Sequence, residues 1–108
     1  MDIEDIRDAI HAGRVRITDH AYEEAQVDRL TIDGVYSSVL RGEVIEDYPG
    51  DRPYPSCLIY GRTPAGEDVH SVWAHNRDNG WAVLITVYRP DPNRWIGGRQ
   101  RRRRDDAL

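Results

Sequence analysis

A chain of 108 residues with a formal net charge of −4 is long enough to bury one hydrophobic core but not two. Its single cysteine, Cys57, excludes an internal disulfide and a cysteine-built zinc finger, and no apolar run reaches membrane-spanning length. The acidic start Met1-Asp2-Ile3-Glu4-Asp5 is unlike a basic signal-peptide start, so a soluble cytoplasmic protein with no membrane contact is expected.

The charge is unevenly spread. Residues 1–88 carry 16 acidic against 8 basic side chains, whereas residues 89–108 carry 3 against 7. All 15 basic residues are arginine, which neutralises phosphate but does not deprotonate in proteins. Any proton transfer therefore falls to His, Asp, Glu, Tyr or Cys.

In chain order, Asp2 is placed to cap a first helix in which Ile3, Ile6, Ala9 and Ile10 recur at helical spacing up to Gly13. Val15-Arg16-Ile17 is short and extended. Thr18 or Asp19 then caps a second helix from His20 to about Arg29, with Ala21 and Ala25 inward. A third begins near Thr31, carries Ile32, Val35, Tyr36, Val39 and Leu40, and is stopped by Gly42. Glu43 to Tyr48 reads as a strand, Pro49 to Pro55 as a loop, and Cys57 to Arg62 as a second strand.

Val69 to His75 and Trp81 to Tyr88 are two β-branched and aromatic runs joined through Asn79-Gly80, a strong hairpin signal because both turn residues tolerate positive φ. Alternation puts His70, Val72 and Ala74 on one face and Val69, Ser71, Trp73 and His75 on the other. In the second strand the apolar set Trp81, Val83, Ile85 and Val87 is expected to face the core, leaving Thr86 and Tyr88 on the face where chemistry sits. Pro90 and Pro92 end the sheet, Trp95 folds back as an anchor, and Gly97-Gly98 opens an arginine-rich stretch. The expectation is an α+β fold, with N-terminal helices packed on one face of an antiparallel sheet of about four strands. It forms a single domain over residues 1–96, followed by a flexible Arg-rich tail over 97–108.

Thr18-Asp19-His20-Ala21, Gly42-Glu43-Val44-Ile45, Tyr48-Pro49, Leu58 to Gly61, the strand holding His70, and Thr86-Val87-Tyr88-Arg89-Pro90 with Trp95 together resemble the bacterial domain-of-unknown-function family 4258. The resemblance spans roughly residues 14–95 and puts His20, Glu43, Tyr48, His70, Thr86, Tyr88 and Pro90 on motif positions. It implies kinship with RelE-type and barnase-type endoribonucleases. The implied activity is that of an mRNA-cleaving toxin from a bacterial toxin–antitoxin pair, with RNA, including ribosome-bound mRNA, and a cognate antitoxin as partners.

Cleavage through the RNA 2′-hydroxyl needs a base, an acid and positive charge at the phosphate. On this reading His20 and His70 are the acid and base in unassigned order, Tyr88 orients the phosphate, and Thr86, Arg62 and Arg89 contact it. Trp73, Tyr48 or Tyr54 would stack a base. No cofactor is expected and no metal site, since His70 and His75 have opposite parity on one strand. Cys57 reads as a small core residue.

The plainer alternative is a non-catalytic protein- or nucleic-acid-binding module of the same fold, with His70 bonded to backbone and His20 locking its helix. The two differ in geometry. Catalysis requires His20, His70 and Tyr88 to meet at an open cleft, whereas burial of both imidazoles favours the binding module.

Overall fold

The structure is a computed structural model and describes residues 1–103. Three helices, α1 (Ile3–His11), α2 (Asp19–Val27) and α3 (Ile32–Leu40), alternate with or precede five strands of one sheet. These are β1 (Val15–Ile17), β2 (Glu43–Tyr48), β3 (Ser56–Arg62), β4 (Asp68–Asn76) and β5 (Trp81–Tyr88). A separate hairpin follows, made of β6 (Trp95–Ile96) and β7 (Gln100–Arg101). Among the described residues no helix is long and apolar enough to cross a membrane.

The helix starts follow from side-chain capping. Asp2 accepts from the backbone N–H of Glu4 at 2.9 Å, Thr18 from Ala21 at 3.0 Å and Thr31 from Gly34 at 3.0 Å. Gly42 is needed for close approach rather than for a left-handed turn: a Cβ there would lie 2.4 Å from the carbonyl of Ser38 and 2.5 Å from that of Tyr60. The end of α3 is thereby pressed onto β3.

Strand order is β1-β5-β4-β3-β2, so His70 stands on the central strand. The α+β class holds, but the sheet has five strands and is mixed: Val15, Arg16 and Ile17 run parallel to Ala82, Val83 and Leu84. So short a run shows no periodicity of its own, and its partner lies far along the chain, which is why the sequence suggests four antiparallel strands.

Register also corrects the inward face of β5. His70 pairs with Tyr88 and Val72 with Thr86, but Trp73 then pairs with Leu84, leaving Ile85 as the extra residue of a bulge. The bulge inverts parity along the strand. Ala82 and Leu84 join Val87 in the core, while Trp81, expected inside, is 42% exposed.

The core lies between the helices and one face of the sheet. Ile6, Ala9, Ala21, Ala25, Val35 and Val39 meet Cys57, Ile59, Val69, Trp73, Ala82, Leu84 and Val87 there. Burying each of the larger aliphatic side chains contributes about 1.5–3 kcal/mol. The buried Cys57 thiol belongs to this layer, and burial pushes its pKa up to about 12. The opposite face is crossed by the β6–β7 hairpin. Of the stretch the sequence assigns to a tail, residues 97–103 complete and follow this hairpin, and residues 104–108 lie outside the described residues.

Candidate functional site

Two hydroxyls of β5, on Thr86 and Tyr88, each stand beside a histidine, one on α2 and one on β4. His70 and Tyr88 are direct cross-strand partners, and the tyrosine hydroxyl lies 3.2 Å from His70 Nδ1. His70 Nε2 lies 2.6 Å from the carbonyl oxygen of Gly98. A carbonyl only accepts, so Nε2 carries the proton, and in the neutral ring Nδ1 accepts from Tyr88. Burial lowers the pKa of His70, with the Gly98 hydrogen bond opposing in part, and the ring is fully buried.

The second pair is open. His20, in the first turn of α2, is exposed and its Nε2 lies 3.2 Å from the Thr86 hydroxyl. Its placement is local in origin. Thr18, the α2 cap, donates its hydroxyl to the carbonyl of Ile85 at 3.0 Å, and its backbone N–H bonds to Leu84 at 3.2 Å. The bulge therefore anchors the start of α2 and brings His20 alongside Thr86. Thr86 and Tyr88 are two residues apart on one strand, which separates their backbones by about 7 Å.

A layer from the C-terminal hairpin encloses His70. Trp95 stands edge-on to the imidazole with ring centroids 4.4 Å apart, and Tyr60 does so at 6.0 Å. Gly98 has φ +75°, and a Cβ on it would lie 2.5 Å from Tyr60 Cε1. Arg101 forms a bidentate pair with Glu46, Nε to Oε2 at 2.6 Å and Nη2 to Oε1 at 3.0 Å. That pair holds the Glu46 carboxyl below the usual range. Tyr48 also donates to Glu46, and burial together with this carboxylate pushes the phenol up to about 12. Arg99 pairs with Glu43 at 2.7 Å and lies over the Tyr60 ring.

The arginines expected at phosphate have separate fates. Arg62 lines a separate cleft of about 320 Å³ with Arg41 and Arg99, and it bonds to Asp68 at 3.1 Å and to the Tyr60 hydroxyl at 3.2 Å. Arg89 is held by several partners. Its Nε donates to the carbonyl of Asp28 at 2.7 Å, its backbone N–H to the Asp28 carboxylate at 2.7 Å, and Nη1 pairs with Glu67, which together tie the α2–α3 turn to the end of β5. The cations gathered beside Tyr88 include Arg94 and Arg101, which share a cleft of about 230 Å³ with Tyr88, Arg89, Asp91 and Trp95.

Arg101 stands out in the sequence only as part of the arginine-rich end, with affinity for RNA or for an acidic partner, while Arg94, Glu46 and Gly98 are not singled out as site residues. The signal for the last was present, since Gly97-Gly98 between Trp95-Ile96 and Gln100-Arg101 is turn chemistry between two strand-compatible pairs. The aromatic residues named for stacking are divided: Trp73 is buried in the core, Tyr48 bonds to Glu46, and Tyr54 lines an outer cleft with Trp81. Among the described residues no three His, Cys, Asp or Glu side chains gather as metal ligands.

Fold and site together define a small α+β domain whose sheet face bears one open and one covered histidine–hydroxyl pair. The chain belongs to the family described as Domain of unknown function (DUF4258), whose model matches residues 17–89 and so includes His20, Arg62, His70, Thr86, Tyr88 and Arg89. No curated protein and no solved structure matches the chain.

Proposed function

We propose that this domain is an endoribonuclease of RelE-like fold, acting as the toxin of a bacterial toxin–antitoxin pair. The observation that carries this reading is the pairing of His20 with Thr86 and of His70 with Tyr88, on hydroxyl residues two apart on one strand. A phosphodiester lying along β5 then has an imidazole toward either end. His20 and His70 exchange protons with the attacking 2′-hydroxyl and the leaving 5′-oxygen, with Tyr88 orienting the phosphate and Arg94 and Arg101 supplying charge from the adjoining cleft. Because residues 1–88 are strongly acidic, RNA is held by this local arginine cluster or presented by the ribosome.

Growth on induced expression tests the reading. Arrest by the wild type, lost in folded His20→Ala and His70→Gln variants, is the expected result. Growth unaffected by the wild type, combined with intact RNA in lysates, refutes it.

One observation favours a binding module instead: His70 is fully buried and bonded to a backbone carbonyl. In that case the purified protein binds RNA or a protein partner, and the partner leaves intact.

A further inference from the structure

Residues 94–103 cover the buried imidazole of the sheet but hold to it by unlike means. At the centre is a neutral contact, Trp95 edge-on to His70 and the Gly98 carbonyl accepting from it. Around that centre the hairpin's attachments to β2 are ionic, Arg99 to Glu43 and Arg101 to Glu46. The two arginine side chains are 65% and 64% exposed. Glu43 is 50% exposed and Glu46 24%, so the Arg99 pair is weak and screened by salt, whereas the bidentate Arg101–Glu46 pair is stronger and exchanges with an anion that takes the same fork.

β6 and β7 pair with each other over only two residues apiece and with no strand of the main sheet. Lifting the hairpin therefore breaks no ladder hydrogen bond of the five-stranded sheet.

The guanidinium fork accepts phosphate as readily as carboxylate. Arg101 also lines the cleft beside Tyr88, where the Arg94 guanidinium has no partner among the described residues. A phosphate entering that cleft competes with Glu46 for Arg101.

We propose that residues 94–103 form a latch released by polyanion: a nucleic-acid backbone takes Arg99 and Arg101 from Glu43 and Glu46 and lifts Gly98 and Trp95 off His70. This rests on the proposed RNA-acting role of the sheet face. It adds that the closed conformation is autoinhibited and that substrate itself opens it. Once the latch is lifted, His70 Nε2 loses its carbonyl partner and is free to exchange a proton.

The test is acylation of the full chain by diethyl pyrocarbonate, mapped at each histidine by mass spectrometry, with the exposed His11 and His20 as internal standards. In the wild type His70 reacts far more slowly than His20. Removing both ion pairs in Glu43→Gln/Glu46→Gln raises the His70 rate about tenfold. Saturating heparin, a polyanion with no cleavable phosphodiester, raises the wild-type rate in the same direction.

If the double variant does not fold, Arg101→Gln and the heparin arm decide. A His70 rate unchanged in the folded variant overturns the latch, as does a rate that heparin leaves unchanged in the wild type. Cleavage is not the readout, so the two ideas fail separately. An uncovered His70 without RNA cleavage leaves the latch and removes the nuclease. Cleavage with His70 protected does the reverse.

Discussion

The His70 imidazole donates to the carbonyl of Gly98 across 2.6 Å, joining the central strand of the sheet to a residue 28 positions further along the chain. With Tyr88 on the other nitrogen, no polar atom of the buried ring lacks a partner. Replacing His70 by Ala leaves the Gly98 carbonyl and the Tyr88 hydroxyl without it and opens a cavity, at a cost of about 3 kcal/mol. His70→Gln, which keeps a donor, costs less. Urea unfolding checks the order, and equal stability of the two variants contradicts it.

The lowered pKa of His70 makes stability depend on pH. The unfolded chain, whose imidazole titrates near 6.5, binds more protons than the native one. The contribution of the neutral ring is therefore complete above that value and is lost as pH falls through the lower native pKa. Glu46, held low by Arg101, acts in a separate window below its ordinary 4.5. Urea midpoints between pH 7.5 and 5 should fall in the wild type and fall less in His70→Gln; parallel curves contradict the assignment.

Gly97 and Gly98 both have positive φ, yet their surroundings differ. A Cβ on Gly97 meets nothing within 4 Å, whereas one on Gly98 meets the Tyr60 ring at 2.5 Å. Gly97→Ala is expected to cost about 1 kcal/mol from backbone strain alone. Gly98→Ala adds a clash that pushes the hairpin off the sheet, so amide exchange at β6 and β7 should accelerate in the second variant and change little in the first. The same rate in both removes the close-contact argument.

Arg89 is expected to behave as a structural residue. Its guanidinium bonds to the carbonyls of Asp28 and Arg29 and to Glu67, a fork that lysine cannot reproduce. Arg89→Lys should destabilise the protein by about 1–2 kcal/mol by thermal unfolding. Unchanged stability with selectively weakened RNA binding would return Arg89 to the phosphate site.

Much of the scaffold was legible because its signals are local. Asp2, Thr18 and Thr31 cap the helices they precede, and Gly80, at φ +75°, ends the turn that Asn79-Gly80 announces. The hairpin itself was legible, but the direct pairing of His70 with Tyr88 needs the bulge: with Asn76 opposite Trp81 and no extra residue, His70 would stand opposite Val87. What escaped depends on distant partners. The bulge at Ile85 is fixed by the start of α2 and is invisible to a count of alternating residues, so Trp81 and Leu84 exchange faces. The arginine-rich end was read by its composition, whereas Glu43, Glu46 and the ring of His70 give it a surface on which to fold.

Whether the sheet face cleaves RNA is decided by incubating the purified full chain with a structured RNA, with and without ribosomes, and analysing the cut ends. The expected result is cleavage leaving 2′,3′-cyclic phosphate termini, abolished by a 2′-deoxy substitution at the cut site and lost in folded His20→Ala. Intact RNA under both conditions, or cleavage that persists at a 2′-deoxy position, contradicts it.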